Sequence, residues 1–285
     1  MKTIAILGMG LMGSSLGLAL KQRGSSVRIQ AYARRADTCN RALELGAVDE
    51  FFTTPAAAVA DADIVVLCVP ILSIAELVKE MIQALKPGAV VTDVGSTKVE
   101  LLALMNDLFA GRDACFVGSH PIAGSEKTGV DAGNPDLYEG RLTVVCPGDG
   151  TSASALDEVS NLWKSVGSEV AEMSAAEHDA MLTTTSHLPH MVAAALAHVV
   201  GTEKADFCGT GFFDTTRVAS GSADMWVDII DTNRAPLEAE LDRFNEELQG
   251  LIAILRSGNQ VDIRRWLEEA AASRNQVLKQ NRFLK

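Results

Sequence analysis

The stretch from Thr3 to Gln22 constrains the fold more than any other part of this chain. Thr3-Ile4-Ala5-Ile6-Leu7 is a continuous apolar run of strand length. Gly8-Met9-Gly10-Leu11-Met12-Gly13 follows without a spacer, and Ser14 to Gln22 reads as a helix. This is a GxGxxG turn in its strand–turn–helix setting. The glycines permit a tight turn and close backbone approach, and the helix N-terminus offers free N–H groups and a positive dipole end to a pyrophosphate. The bland alternative is a glycine turn needed only for helix–strand packing. We read Gly8, Gly10, Leu11, Met12 and Gly13 as a dinucleotide-binding turn.

A second strand runs from Val27 to Tyr32. Chains selective for NAD usually close it with Asp or Glu for the ribose 2′-hydroxyl. Here it ends Tyr32-Ala33-Arg34-Arg35, with no acid before Asp37. Two guanidiniums suit a 2′-phosphate, so Arg34 and Arg35 point to NADP as the preferred cofactor, with NAD possible. The plain alternative is a solvated turn indifferent to the phosphate. Asp37 to Leu45 reads as a helix, Ile64 to Val69 as a strand ended by Pro70, Ile71 to Leu85 as a helix and Ala89 to Asp93 as a strand. Val69 and Pro70 are assigned to the cofactor side. This alternation predicts a Rossmann-type, doubly wound parallel sheet.

Gly118-Ser119-His120-Pro121-Ile122-Ala123-Gly124-Ser125-Glu126-Lys127 concentrates the chemistry. It follows the buried-strand pattern Cys115-Phe116-Val117, so His120 is expected at a strand's carboxyl end, where open α/β sheets place their chemistry. Gly95-Ser96-Thr97-Lys98 opens a helix, with Ser96 or Thr97 as its cap or Ser96 in the site. Thr128 to Arg141 reads as a lid or loop beside the site, Leu142 to Cys146 and Glu169 to Met173 as the last strands, and Ser152 to Val166 as a helix between them. From Ser174 onward the pattern is helical. The expected domains are therefore 1–173, which binds the dinucleotide, and 174–285, an all-α part for substrate binding and dimerisation through exposed helix faces.

The net charge of −12 over 285 residues excludes a nucleic-acid surface of the usual basic kind, and an anionic substrate then needs a local basic pocket. No apolar run is long enough to span a membrane. The start shows no signal-peptide pattern, and the five cysteines include no CxxC, so a cytoplasmic protein is expected. His178, His187 and His190 share one predicted helix, but Pro189 interrupts it and no HExxH accompanies them, so no metal site is expected.

Taken together, Gly8 to Leu16, Asp93 to Lys98, Gly118 to Glu126, Ser186-His187-Leu188-Pro189-His190 and Phe213-Asp214-Thr215-Thr216-Arg217 resemble the prephenate and arogenate dehydrogenases of tyrosine biosynthesis, over essentially the whole chain. The resemblance implies oxidative decarboxylation of a cyclohexadienol: hydride leaves C4 to the nicotinamide, CO₂ leaves C1 and the ring becomes aromatic. It implies that His120 accepts the proton of the C4 hydroxyl and that Ser96 orients His120 and the nicotinamide. Arg217 would hold a substrate carboxylate, His190 would add a polar contact and Glu126 would stand at the entrance. Ser119 and His187 are placed with the substrate contacts, and Asp214 is expected to pair with Arg217. Prephenate is the first substrate reading, and arogenate, or both, is the alternative. The missing acid at Ala33 resembles members that use NADP, several of which prefer arogenate, whereas Glu126 and His190 resemble the prephenate enzymes. Remote alternatives are a β-hydroxyacid dehydrogenase, disfavoured because Ala175 to Val200 holds no Lys, and a non-catalytic NADP sensor.

Overall fold

The computed structural model describes residues 1–125 and 127–283 of the chain. Eight strands form one sheet, in the order β3-β2-β1-β4-β5-β6-β7-β8. They are β1 (Lys2–Leu7), β2 (Val27–Tyr32), β3 (Glu50–Phe52), β4 (Ile64–Leu67), β5 (Val90–Asp93), β6 (Cys115–Pro121), β7 (Leu142–Pro147) and β8 (Glu169–Glu172). The helices between them are α1 (Leu11–Gln22), α2 (Ala36–Glu44), α3 (Pro55–Val59), α4 (Ile71–Met81), α5 (Val99–Phe109) and α6 (Ala153–Ser165). The chain winds outward from β1 to β2 and β3, then returns to β4 on β1's other side, which opens a crevice at the carboxyl ends of β1 and β4.

Apolar side chains cover both sheet faces. One cluster joins Ile4, Ile6, Leu16, Tyr138 and Trp163; the other joins Ala5, Leu7, Ile74, Leu102 and Phe116. Consecutive residues of one strand divide between the two clusters, as period-2 alternation requires.

The sheet region departs from the sequence expectations in two ways. The sheet is not wholly parallel, because β7 runs antiparallel to β6 and β8 follows β7 in parallel. No crossover helix separates β6 from β7, so the chain simply doubles back on the same edge. The short β3 and α3 went unforeseen. Glu50-Phe51-Phe52 is too brief to show a period, and α3 announces itself only by its Thr54 cap and Pro55. Thr128 to Arg141 is a loop, as expected, with one 3₁₀ turn at Val130–Ala132, and it is packed down. Tyr138 is fully buried and its hydroxyl donates to the Met12 carbonyl at 2.7 Å, and the Asn134 amide donates to Ser15 Oγ at 2.9 Å.

After β8 the chain is helical: α7 (Ala175–Leu182), a π-helical stretch at Thr183–His187, α8 (Leu188–Val200), α9 (Thr210–Thr216) and α10 (Ala223–Thr232). The single helix expected from Ala175 to Val200 thus contains five residues of wider turn. Pro189 has no N–H for the regular ladder, and such wide turns recur at functional sites. By internal contact the chain divides into Met1–Asn233 and Arg234–Lys285. The second unit is a helical pair, α11 (Arg234–Ser257) and α12 (Gln260–Gln280), in which Trp266 Nε1 donates to Glu247 at 3.0 Å. No helix among the described residues is long and apolar enough to cross a membrane.

Candidate active site

His120 stands near the carboxyl end of β6 and is almost fully buried, at 9% exposure. Alternation along β6 sends Ser119 to one face and His120 to the other. On its face His120 meets α7, and its Nδ1 lies 2.8 Å from His178 Nε2. His178 Nδ1 in turn lies 2.7 Å from Asp179 Oδ1. Asp179 also accepts from the backbone amides of Lys98 and Val99, both at 2.8 Å, and so caps α5 from a different helix. Burial pushes the His120 ring well below the usual imidazole range, with His178, Lys98 and His187 acting the same way. A ring held neutral at physiological pH is ready to accept a proton.

This cap corrects the expectation for the loop before α5. Neither Ser96 nor Thr97 caps the helix; Thr97 Oγ1 instead bonds Thr232 Oγ1 at 2.7 Å. Ser96 is half-exposed, and its hydroxyl has no partner among the described residues, so it remains available at the carboxyl edge next to β6. The loop is stapled from within. Fully buried Lys98 sends Nζ to Asp93 Oδ2 at 2.7 Å and to the carbonyls of Gly95 and Thr97. Asp93 also accepts from the amides of Gly95 and Ser119, tying β5 to β6 just below Ser96 and His120.

Ser119 was placed with the substrate contacts, and the structure does not bring it there. It is fully buried on the far face, its hydroxyl donates to the Asp93 carbonyl, and Trp163 Nε1 donates to it at 2.9 Å.

The glycine turn has the features a dinucleotide needs. Gly8 adopts φ +105°, and a Cβ there would overlap the Cys68 carbonyl and crowd Val69. A Cβ on Gly13 would collide with the Gly8 carbonyl, so both positions serve close packing. Gly10 is different, because nothing stands within 4 Å of where its Cβ would be. The N-terminus of α1 has no side-chain cap and no acid in its first turn. Open space over Gly10 and an uncapped helix end fit a pyrophosphate. Gly8 donates to the Tyr32 carbonyl at 2.8 Å, which sets the turn beside the end of β2. Arg34 and Arg35 follow there, exposed and without an acidic partner among the described residues. Val69 and Pro70 stand across the crevice, between β4 and α4.

The remaining candidates lie on the helices after β8. His187 is 1% exposed, and its Nδ1 lies 3.2 Å from Asn233 Nδ2. The amide donates there, so the His187 proton sits on Nε2, which is buried without a described partner. Burial lowers the His187 ring to about 4. His190 stacks on Trp226, with ring centroids 3.5 Å apart at 17°, and burial lowers its ring too. Arg217 begins a short 3₁₀ turn packed against α8; it is exposed, and the expected pair with Asp214 does not form. Glu126 lies outside the described residues. Among the described residues no group of His, Cys, Asp or Glu is arranged to hold a metal.

Comparison with known proteins decides what these elements belong to. The family model described as prephenate dehydrogenase, nucleotide-binding domain, matches residues 16–172, and that described as prephenate dehydrogenase, dimerization domain, matches residues 174–269. The chain belongs to the prephenate dehydrogenase family. A cyclohexadienyl dehydrogenase of Zymomonas mobilis is 34% identical over 90% of this chain and 89% of its own length. A crystal structure of prephenate dehydrogenase from Aquifex aeolicus, in complex with hydroxyphenyl propionate and NAD+, superposes with a TM-score of 0.90. That chain is 33% identical, with 97% of this chain and 98% of that one covered. Synechocystis arogenate dehydrogenase gives 0.83 at 28% identity, covering 96% and 99%. The family is one of nicotinamide-dependent oxidoreductases, and neither remote alternative survives it.

For this member of the prephenate dehydrogenase family, the residues the sequence reading missed are His178, Asp179 and Trp226. His178 was weighed only for a metal site with His187 and His190, and Asp179 was visible only as a helix residue, since nothing in a linear pattern shows a side chain 58 positions away meeting His120. Trp226 gave one signal, a lone Trp in the short helical segment Asp224 to Ile230, which was not taken up.

Proposed function

We propose that this chain oxidatively decarboxylates prephenate to 4-hydroxyphenylpyruvate, using NADP in preference to NAD. The observation that carries the proposal is the buried His120 at the carboxyl edge of β6, its ring pushed below the usual imidazole range by that burial, on the same edge as the open glycine turn. In this reading a nicotinamide, when bound, would supply the acceptor for the hydride that leaves C4 of the ring. His120 accepts the C4 hydroxyl proton, which strengthens the push on the departing hydride. Ser96, whose hydroxyl is unengaged among the described residues, helps to orient His120 and the nicotinamide. Arg217 holds a ring or side-chain carboxylate in a two-pronged contact that a chain of net charge −12 must supply locally. His190, and His187 through its Nε2–H, contribute neutral polar contacts. Loss of CO₂ with aromatisation drives the reaction forward.

The paired guanidiniums of Arg34 and Arg35 support NADP. Arogenate, or both substrates, is the alternative, favoured by the missing acid at Ala33. The division of labour at 173/174 belongs to the same reading, with residues 1–173 holding the dinucleotide and 174–285 binding substrate and pairing with a second copy. Support for a homodimer comes from apolar side chains left in solvent on this part, including Phe207 at 91%, Val199 at 76% and Phe213 at 59% exposure. A cytoplasmic location accords with five free thiols. The test is a steady-state assay of prephenate and arogenate, each with NAD and NADP. Highest kcat/KM for prephenate with NADP is expected; no turnover in any combination would overturn the proposal.

A further inference from the structure

We propose that His178 and Asp179 form a positioning relay that holds His120 with its proton on Nδ1 and its Nε2 bare. The inference rests on His120 being the base of the reaction above, but its geometry stands independently. Asp179 accepts three hydrogen bonds: Oδ1 from His178 Nδ1 and the Lys98 amide, and Oδ2 from the Val99 amide. An ionised carboxylate has no proton to give, so the proton in the His178–Asp179 contact belongs to His178 Nδ1. The relay gives His178 that single ring proton, so its Nε2 presents a lone pair. The 2.8 Å contact with His120 Nδ1 must be filled by a proton from His120. His120 is left with a lone pair on Nε2, the nitrogen not used in the relay.

The opposite tautomer would place N–H where the substrate hydroxyl must donate, and the ring could not act as a base. The relay also helps once the proton arrives. As Nε2 of His120 takes the proton, the Nδ1 proton can shift to His178 Nε2, and the positive charge comes to rest beside the Asp179 carboxylate. One proton enters at Nε2 and one moves along Nδ1; no electron transfer is involved. This offsets the burial that otherwise disfavours a charged His120.

The relay is coupled to the second half of the site. The same Asp179 oxygens hold the first amides of α5, so the helix that follows Ser96 and the ring of His120 are referenced to one carboxylate. The charged and titratable groups around His120 are His178 and Asp179 from α7, Asp93 from the end of β5, Lys98 from the loop before α5, and His187 from the π-helical stretch.

The test has one arm that needs no substrate. Nitrogen-15 histidine spectra of the full chain should show His120 protonated at Nδ1 and bare at Nε2; a proton on Nε2 would overturn the relay, whatever the enzyme turns over. The kinetic arm compares His178→Leu with His178→Gln. The Leu variant should lose about tenfold or more in kcat with KM for the dinucleotide unchanged, while Gln, whose carbonyl oxygen can accept from His120 Nδ1, should recover most of it. Equal kcat values in the two would reduce His178 to packing. Asp179→Asn should move the acidic limb of the kcat profile to lower pH, because the carboxylate no longer favours the charged ring; an unmoved limb in a variant of unchanged cofactor binding would contradict the proposal. Failure of the substrate assignment would appear separately, as an absence of turnover in the unaltered enzyme with the expected tautomer intact.

Discussion

Lys98 Nζ lies 2.7 Å from Asp93 Oδ2, and neither side chain reaches solvent. The pair closes the loop between β5 and α5, and the carboxylate also accepts from the Gly95 amide in that loop and the Ser119 amide of β6. Replacing Lys98 by Met leaves Asp93 buried without its cation, which should cost about 3–5 kcal/mol in urea unfolding. Adding Asp93→Asn to that variant should restore part of the loss. A midpoint unchanged by Lys98→Met would mean that the pair does not hold the loop.

His120→Asn keeps the size and polarity of the site but removes the titrating ring. Turnover should fall by about a hundredfold or more, with dinucleotide affinity retained. Stopped-flow turnover and fluorescence titration of the cofactor separate the two effects, and near-normal turnover would exclude His120 as the base.

Arg34 and Arg35 both stand exposed where β2 ends. Changing both to Ala should raise KM for NADP far more than KM for NAD, because only NADP carries the 2′-phosphate. An equal rise for both cofactors would assign the guanidiniums to something other than that group.

Arg217 has no acidic partner among the described residues and is free to take a carboxylate. Arg217→Ala should raise substrate KM by about tenfold or more, the usual value of a charge-assisted contact. Unchanged KM would remove Arg217 from substrate binding.

Stability should decline in acid in a defined window. His187 is lowered to about 4, and His120 and His190 lie below the usual imidazole value of 6.5. As pH falls below 6.5 the unfolded chain takes up these protons first. Their stabilisation is therefore complete above that value and is lost progressively towards pH 4. Urea midpoints measured across that range should drop with falling pH, and His187→Asn should flatten the drop. A pH-independent midpoint would show that the rings are not held neutral.

Much of this was legible in the linear sequence, for physical reasons. The first strand, glycine turn and helix are local, so residues 3 to 22 show them directly. His120 stood out because several reactive side chains follow one apolar run. What stayed hidden is what depends on distant partners. The cap of α5 comes from Asp179, some 80 positions away in the chain. Ser119 was placed with the substrate contacts, yet alternation along β6 turns it to the face opposite His120. The reversed direction of β7 leaves no mark in its own apolar run, since strand direction is set by the connection and not by the strand.

The five-residue wide turn at Thr183–His187 acts as a phase adjuster between two helices. A π turn holds roughly one residue more than an α turn, so everything after it is rotated by about 100° relative to an unbroken helix. Asp179 can thus look towards the start of α5 while His190 looks towards Trp226. A single deletion at Thr184 would restore a smooth ladder and swing one of those two faces off its target.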